Sequence, residues 1–216
     1  MSTWVRLRRR PTTGTDVRFL DEVERDLRWG PRAGAHLTLE LRVGLRPMMP
    51  LDREHPLDEY VFPVVQRLGP VRFDSVVASK ERADSSLIRV TPALTPGFPE
   101  PQVRARLTAS ATTIDWKEQL YDACRGVTPV PAPPGPVAVR LRLGVSRQRN
   151  WSALWKPALD SLGPILGVPD PSRPFLAADD RITRLELYRR LDETVGQNVD
   201  VEVWWWPGIH QVLPGR

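Results

Sequence analysis

The sequence predicts a mixed α/β fold made of two successive β-α-β-α-β-β units, and three observations predict it. Several segments alternate apolar and polar residues with a period of two, as half-buried strands do. Between them lie stretches with apolar residues at helical spacing. The same order of elements then recurs in the second half with a shared frame, Pro-x4-Leu-Gly-Pro, at residues 63–70 and 157–164. Repeats of this kind set the architecture before any single motif does. The units divide the 216 residues into 1–92, a proline-rich linker at 93–101, and 102–216.

The elements follow in order. Val5-Arg6-Leu7-Arg8 resembles Val103-Arg104-Ala105-Arg106, a first strand in each unit. Asp16 to Trp29 places Val17, Leu20, Val23 and Leu27 on one helical face, and Thr113 to Arg125 does the same with Ile114, Trp116, Leu120 and Tyr121. Thr15 and Thr112 or Thr113 are N-cap candidates, and Gly30 and Gly126 C-cap candidates. Residues 36–45 and 136–145 alternate as strands and carry a glycine at the same place, Gly44 and Gly144. Leu57–Pro70 and Trp151–Pro164 read as helices stopped by Gly-Pro, each with an internal proline that either bends the helix or marks its first turn. Strand pairs close each unit: 74–80 with 86–90, and 181–189 with 199–204.

Composition narrows the functional classes. No apolar run reaches the roughly 18 residues of a membrane span, and no signal-peptide core follows the arginine-rich start, so a cytoplasmic protein is expected. A single cysteine, Cys124, excludes an internal disulfide and a cysteine-rich zinc site; it reads as a small buried hydrophobe. Neither a P-loop nor Gly-x-Gly-x-x-Gly is present. The net charge is +5, and only three of the 31 basic residues are lysine: Lys80, Lys117 and Lys156. The arginine excess reflects either a GC-rich codon bias or a phosphate-binding surface, since guanidinium forks match phosphate geometry.

The second unit carries a recognisable arrangement. Asn150-Trp151-Ser152-Ala153-Leu154-Trp155-Lys156 opens a helix, Leu159-Asp160-Ser161-Leu162 follows, and Asp179-Asp180 stands in a turn before a strand. This resembles the RusA family of Holliday-junction resolvases, whose motif is Asp-x-Asp-Asn at the helix start, then a lysine, Leu-Asp-x-Leu and an Asp-Asp turn. The resemblance covers residues 102–206 directly and the first half through the repeat. It implies a magnesium-dependent endodeoxyribonuclease acting on branched DNA in recombination and repair. It also implies that one duplicated chain imitates the family's homodimer, as a monomeric pseudo-dimer or within a further homodimer. Magnesium suits such chemistry because converging carboxylates can hold it beside a scissile phosphate, where it activates water. On this reading Lys156 and Asp180 are catalytic, and Asp58, Asp160, Asp179 and Asp180 are the metal-ligand candidates.

The motif is degenerate. With Lys156 at the family lysine, the two helix aspartates fall on Asn150 and Ser152. The corresponding first-half positions hold Pro56, Asp58, Phe62 and Gln66, with Asp74 a loose candidate. The alternative is therefore a non-catalytic nucleic-acid-binding or scaffold protein that kept the fold. Each survivor also has a plainer reading: Asp179-Asp180 as a solvated turn, Lys156 as a surface residue, Asp160 as partner of a surface arginine, Asp58 as a first-turn acid favoured by the helix dipole.

Electrostatics single out residues 6–10 and Arg147-Gln148-Arg149; the latter precedes the motif helix, so Arg147, Arg149, Asn150 and Lys156 are the nucleic-acid-binding candidates. His36, His55 and His210 show no metal-ligand spacing. Alternation puts Trp204 and Trp206 on one strand face and Trp205 on the other, as packing or as a stacking platform for unpaired bases. Trp151 and Trp155 sit one turn apart, and Glu186 reads as a cross-strand partner.

Overall fold

The structure, a computed structural model, describes residues 4–7, 17–27, 36–93, 97–108, 110–128 and 130–208. Eight strands form one mixed sheet: β1 (Val5–Leu7), β2 (Leu37–Leu45), β3 (Phe73–Arg82), β4 (Ser86–Pro92), β5 (Val103–Leu107), β6 (Val137–Val145), β7 (Ile182–Leu191) and β8 (Val199–Pro207). The five α-helices among the described residues are α1 (Val17–Asp26), α2 (Leu57–Leu68), α3 (Ile114–Val127), α4 (Trp155–Asp160) and α5 (Gly163–Leu166).

The strand order is β1-β4-β2-β3-β7-β6-β8-β5, which reads the same from either edge. Each edge strand is antiparallel to its neighbour (β1 to β4, β5 to β8). In each half the next pair is also antiparallel (β2 to β4, β6 to β8) and the inner pair is parallel (β2 to β3, β6 to β7). Both parallel pairs carry a register shift at the same place, between Leu37 and Thr38 and between Val137 and Ala138. The halves join edge to edge through antiparallel β3 and β7, with Val77 opposite Glu186 at the middle of the pairing. The two units expected from the sequence thus share one sheet.

Alternation decides what each face holds. Leu39, Leu41 and Val43 of β2, like Val139, Leu141 and Leu143 of β6, are buried and share one core cluster with Phe19, Val61, Trp116, Leu120 and Trp155 of the helices. Each such side chain stabilises the fold by about 1.5–3 kcal/mol. Trp205 packs against this core and Trp204 lies outside it, as the alternation predicts. Cys124 is fully buried, and burial pushes its thiol up to about 12.

Local departures from the predicted elements have physical reasons. Gly126 does not stop α3, which runs one residue further to Val127 with Thr128 as its C-cap; Thr113 does occupy the N-cap. Pro63 lies inside the continuous helix α2, whereas Pro157 falls in the first turn of α4, where a missing N–H costs nothing. The predicted single helix at 151–164 is instead a 3-10 turn (Trp151–Leu154), α4 and α5. The proline run at 129–136 is tied down from its 130–136 part by Arg181, which donates to the carbonyls of Ala132, Pro133 and Gly135. Arg8 to Arg10, Thr15, Gly30 and His210 lie outside the described residues.

Candidate functional site

Three of the four predicted carboxylates meet at the seam between the halves, while that of Asp180 turns to the Glu54 main chain. Lys156, on α4, points its Nζ at three of them: Asp179 Oδ2 at 2.7 Å, Asp160 Oδ1 at 3.2 Å and Asp58 Oδ2 at 3.7 Å. Asp160 is the last residue of α4, one turn beyond Lys156, as an i, i+4 pair requires. Asp179 sits in the 3-10 turn (Asp179–Arg181) that opens β7. Asp58 comes from the first turn of α2, in the other half. The contact across halves is held by apolar packing: the Phe62 ring of α2 meets Trp155 of α4 edge-on at 6.3 Å, and Trp155 meets Trp151 at 4.8 Å.

Two further lysines complete the cluster, and sequence reasoning missed both. Lys117 of α3 donates to Asp160 Oδ2 at 2.7 Å. Lys80 of β3, almost fully buried, donates to the main-chain carbonyl of Asp180 at 2.6 Å. The chain has only three lysines, and all three converge here. Their rarity in an arginine-rich chain was the signal that could have found the site. Asp180 in turn accepts from the main-chain N–H of Glu54 at 3.2 Å, and Glu54 is held at φ 66. A non-glycine residue in the left-handed region stores strain that its surroundings must offset.

Burial sets the electrostatics. Asp58 is 5% exposed. Burial pushes its carboxyl up to about 6, against the pull of Lys156 and with help from Asp179 and Glu59. Burial likewise brings Lys80 down to about 8, partly offset by Asp180, Asp179, Asp52 and Asp58. For Lys156 burial opposes the charge, but Asp58, Asp179 and Asp160 outweigh it and hold its proton above the usual lysine range. Asp160 pairs with lysines and not with a surface arginine, and Asp179 is buried, not solvated.

These residues as arranged do not fit magnesium. The ion asks for near-octahedral oxygens at about 2.1 Å, whereas here the carboxylates converge on a nitrogen. Among the described residues no three His, Cys, Asp or Glu side chains gather closely enough to hold a metal. The one buried carboxylate oxygen there without a partner is Asp58 Oδ1, and one ligand is not a site. Four aspartates against three lysines also leave little net charge for a dication.

The other end of the central strand pair holds a counterpart. Lys80 lies three residues beyond Val77 on β3, and Arg189 three beyond Glu186 on β7. Arg189 pairs with Asp74, which also meets His36. Ser152 stands where Asp58 does in the other half; it accepts from Gln66 at 2.8 Å and donates to Asn150 at 2.8 Å. Asn150 is exposed and closes the turn 146–149, whose Arg147 is exposed and Arg149 half-buried. The nucleic-acid-binding candidates Arg147, Arg149 and Asn150 therefore lie at this end, away from the Asp179-Asp180 turn. No protein-family model matches the chain, and none of the curated proteins matches it. No described helix is long and apolar enough to cross a membrane.

Proposed function

We propose that this chain is an internally duplicated, RusA-like protein that binds branched DNA and has lost magnesium-dependent hydrolysis, its remaining aspartates Asp58, Asp160 and Asp179 being taken up by the Lys156 ammonium. The observation that carries the reading is the convergence of Asp58, Asp160 and Asp179 on Lys156 Nζ within 3.7 Å. An internal ammonium supplies the positive charge that such a cluster needs, but it cannot activate water for attack on phosphorus. The duplication is supported by the strand order that reads alike from both edges and by the matched register shifts. On this reading one chain spans what two chains form in the family, a pseudo-dimer acting in DNA recombination or repair. The arginine excess supplies phosphate contacts.

The test is a gel-shift and cleavage assay on four-way junctions, run with EDTA and with magnesium. The expected result is a salt-sensitive shift with intact strands in both conditions. Magnesium-dependent nicking would restore the nuclease reading, with Asp180 and Lys156 as catalytic candidates to be tested by Asp180→Asn. Absence of a shift at low salt would leave the scaffold reading.

A further inference from the structure

The sheet face opposite the core has a composition of its own. No residue of that face belongs to the core cluster, not even Trp204, which is 4% exposed. The register runs Trp204–Arg140–Glu186–Val77–Glu40–Arg89 straight across β8, β6, β7, β3, β2 and β4. The parallel row from β8 to β2 is Trp206–Ala138–Arg184–Ser79–Arg42.

Two features make this more than a solvated sheet. Carboxylates are outnumbered, and three of them are each shared by two arginines: Glu186 by Arg140 and Arg184, Glu202 by Arg142 and Arg104, Asp200 by Arg106 and Arg190. With Glu100 also on Arg104 and Asp192 also on Arg190, six arginines meet five acids on the β5-β8-β6-β7 side, an excess of one positive charge. Arginines are also interleaved with rings. Arg140 lies 4.8 Å from the Phe98 ring, 5.3 Å from Trp206 and 5.9 Å from Trp204. On the other half, Arg42 and Arg89 both stack on Trp4 at 4.4 Å. In each half the aromatic comes from just ahead of the edge strand and folds over the arginines. Guanidinium groups packed beside rings are pre-oriented, so less rotamer entropy is lost when they bind.

We infer that this sheet face is a docking surface for single-stranded nucleic acid, with bases stacked on the half-exposed rings of Trp206 and Trp4 and phosphates held by the arginines at the rim. Alternating rings and cations match the alternating bases and phosphates of a single strand. A duplex keeps its bases stacked inside and would use only the cations. The inference rests on the DNA-binding reading above but names a different surface from the Lys156 cluster and a different substrate from a junction.

The experiment measures binding of a fluorescein-labelled 20-mer of thymidine and of a four-way junction, at two salt concentrations, for the full chain. The variants are Trp206→Ala, Trp206→Phe, and Arg104→Ala/Arg106→Ala/Arg184→Ala, all with half-buried or exposed side chains. Trp206→Ala is expected to weaken the oligonucleotide about tenfold, as loss of one stacked base does. Trp206→Phe should bind close to wild type. The triple variant should bind more weakly and with a shallower salt dependence. Wild-type binding of the oligonucleotide that none of these variants changes overturns this inference and leaves the DNA-binding reading standing. Wild type that binds neither DNA overturns both, and an acidic peptide that competes for Trp206 fluorescence in that case assigns the face to a protein partner.

Discussion

The two ends of the β3–β7 seam share a backbone and differ in chemistry. One gathers Lys156, Lys80 and Lys117 with Asp58, Asp160 and Asp179. The other sets Phe62, Arg189, Gln66 and Ser152 at the corresponding places, with Pro70 opening the turn where Asp179 opens its own. There the turn is fixed by a neutral bond, from the Trp151 indole N–H to the Pro70 carbonyl at 3.3 Å. Since the same chain path closes over Phe62, Gln66 and Ser152 at one end, where the charges are those of Arg189, Asp74 and His36, the fold does not require a lysine among three carboxylates at the other. Burying Asp58 and Lys80 costs stability that an apolar pair would not, so the charged end is the one to examine for function.

The largest expected effect breaks that contrast at its centre. Lys156→Ala takes the shared cation from three buried carboxylates, leaving Lys117 on Asp160 but no such partner on Asp58 or Asp179, and should cost about 3 kcal/mol at neutral pH; the half-exposed position of Lys156 keeps this near the low end for a broken pair. Phe62→Ala, at the corresponding place and 40% exposed, should cost about 1 kcal/mol. Urea midpoints measure both. Millimolar magnesium should raise the midpoint of Lys156→Ala and leave wild type unchanged, because only the variant frees its carboxylates. Equal losses for the two variants, or no magnesium effect, would mean that the ammonium is not the organising charge.

A second contrast tests the backbone. A Cβ on Gly44 would meet the Ser85 carbonyl oxygen at 2.4 Å, which is main chain and cannot step aside. On Gly144 it would meet the Arg190 guanidinium at 2.8 Å, the mobile end of a side chain. Gly44→Ala should therefore cost about 2–3 kcal/mol and Gly144→Ala about 1 kcal/mol, read as shifts in Tm. A reversed order would show that the space at the ends of the β2–β4 and β6–β8 pairs is the opposite of what these contacts imply.

Much of this was legible in the sequence because strands and amphipathic helices announce themselves by period. The recurring Pro-x4-Leu-Gly-Pro frame aligned Asp58 with Ser152 and Lys156 with Phe62 before any coordinates. What the pattern could not show was pairing across the seam. Register within a half follows from local alternation, but the β3–β7 junction joins segments over 100 residues apart, and nothing local encodes it. For that reason Asp58 read as the remnant of a first-half site, when it completes the second-half cluster. Lys80 read as an ordinary strand residue for the same reason. The break of helix 151–164 was also hidden, since Pro63 and Pro157 occupy matching places, yet one lies inside a continuous helix and the other in the first turn of a short one.

The pH dependence of stability should sharpen the contrast, with opposite signs at two groups. Asp58 titrates near 6 in the folded chain, above its unfolded value, so between about pH 4 and 6 the folded state binds more protons and stability falls as pH rises. Two pKa units correspond to about 3 kcal/mol, and residual solvent access should reduce this to about 2 kcal/mol. Lys80 titrates near 8, below its unfolded value, so above pH 8 the unfolded state holds the extra proton and stability rises until about pH 10. Asp58→Asn should flatten the acidic limb of a Tm–pH curve and Lys80→Met the alkaline one. An unaltered curve in either variant would place the titration elsewhere.

The smallest effect belongs to the end without the lysine cluster. Gln66→Ala removes one donor to the buried Ser152 hydroxyl, which keeps its bond to Asn150. A neutral hydrogen bond whose acceptor retains another partner is worth about 0.5 kcal/mol. The loss should be independent of pH from 5 to 9 and of added magnesium, because no ionisable group changes its surroundings. A loss as large as that of Lys156→Ala, or one that tracks pH, would mean that Ser152 and Gln66 form a tuned centre in their own right. The seam would then carry two working sites of different chemistry, and the Gln66–Ser152 end could no longer serve as the reference for what the fold alone requires.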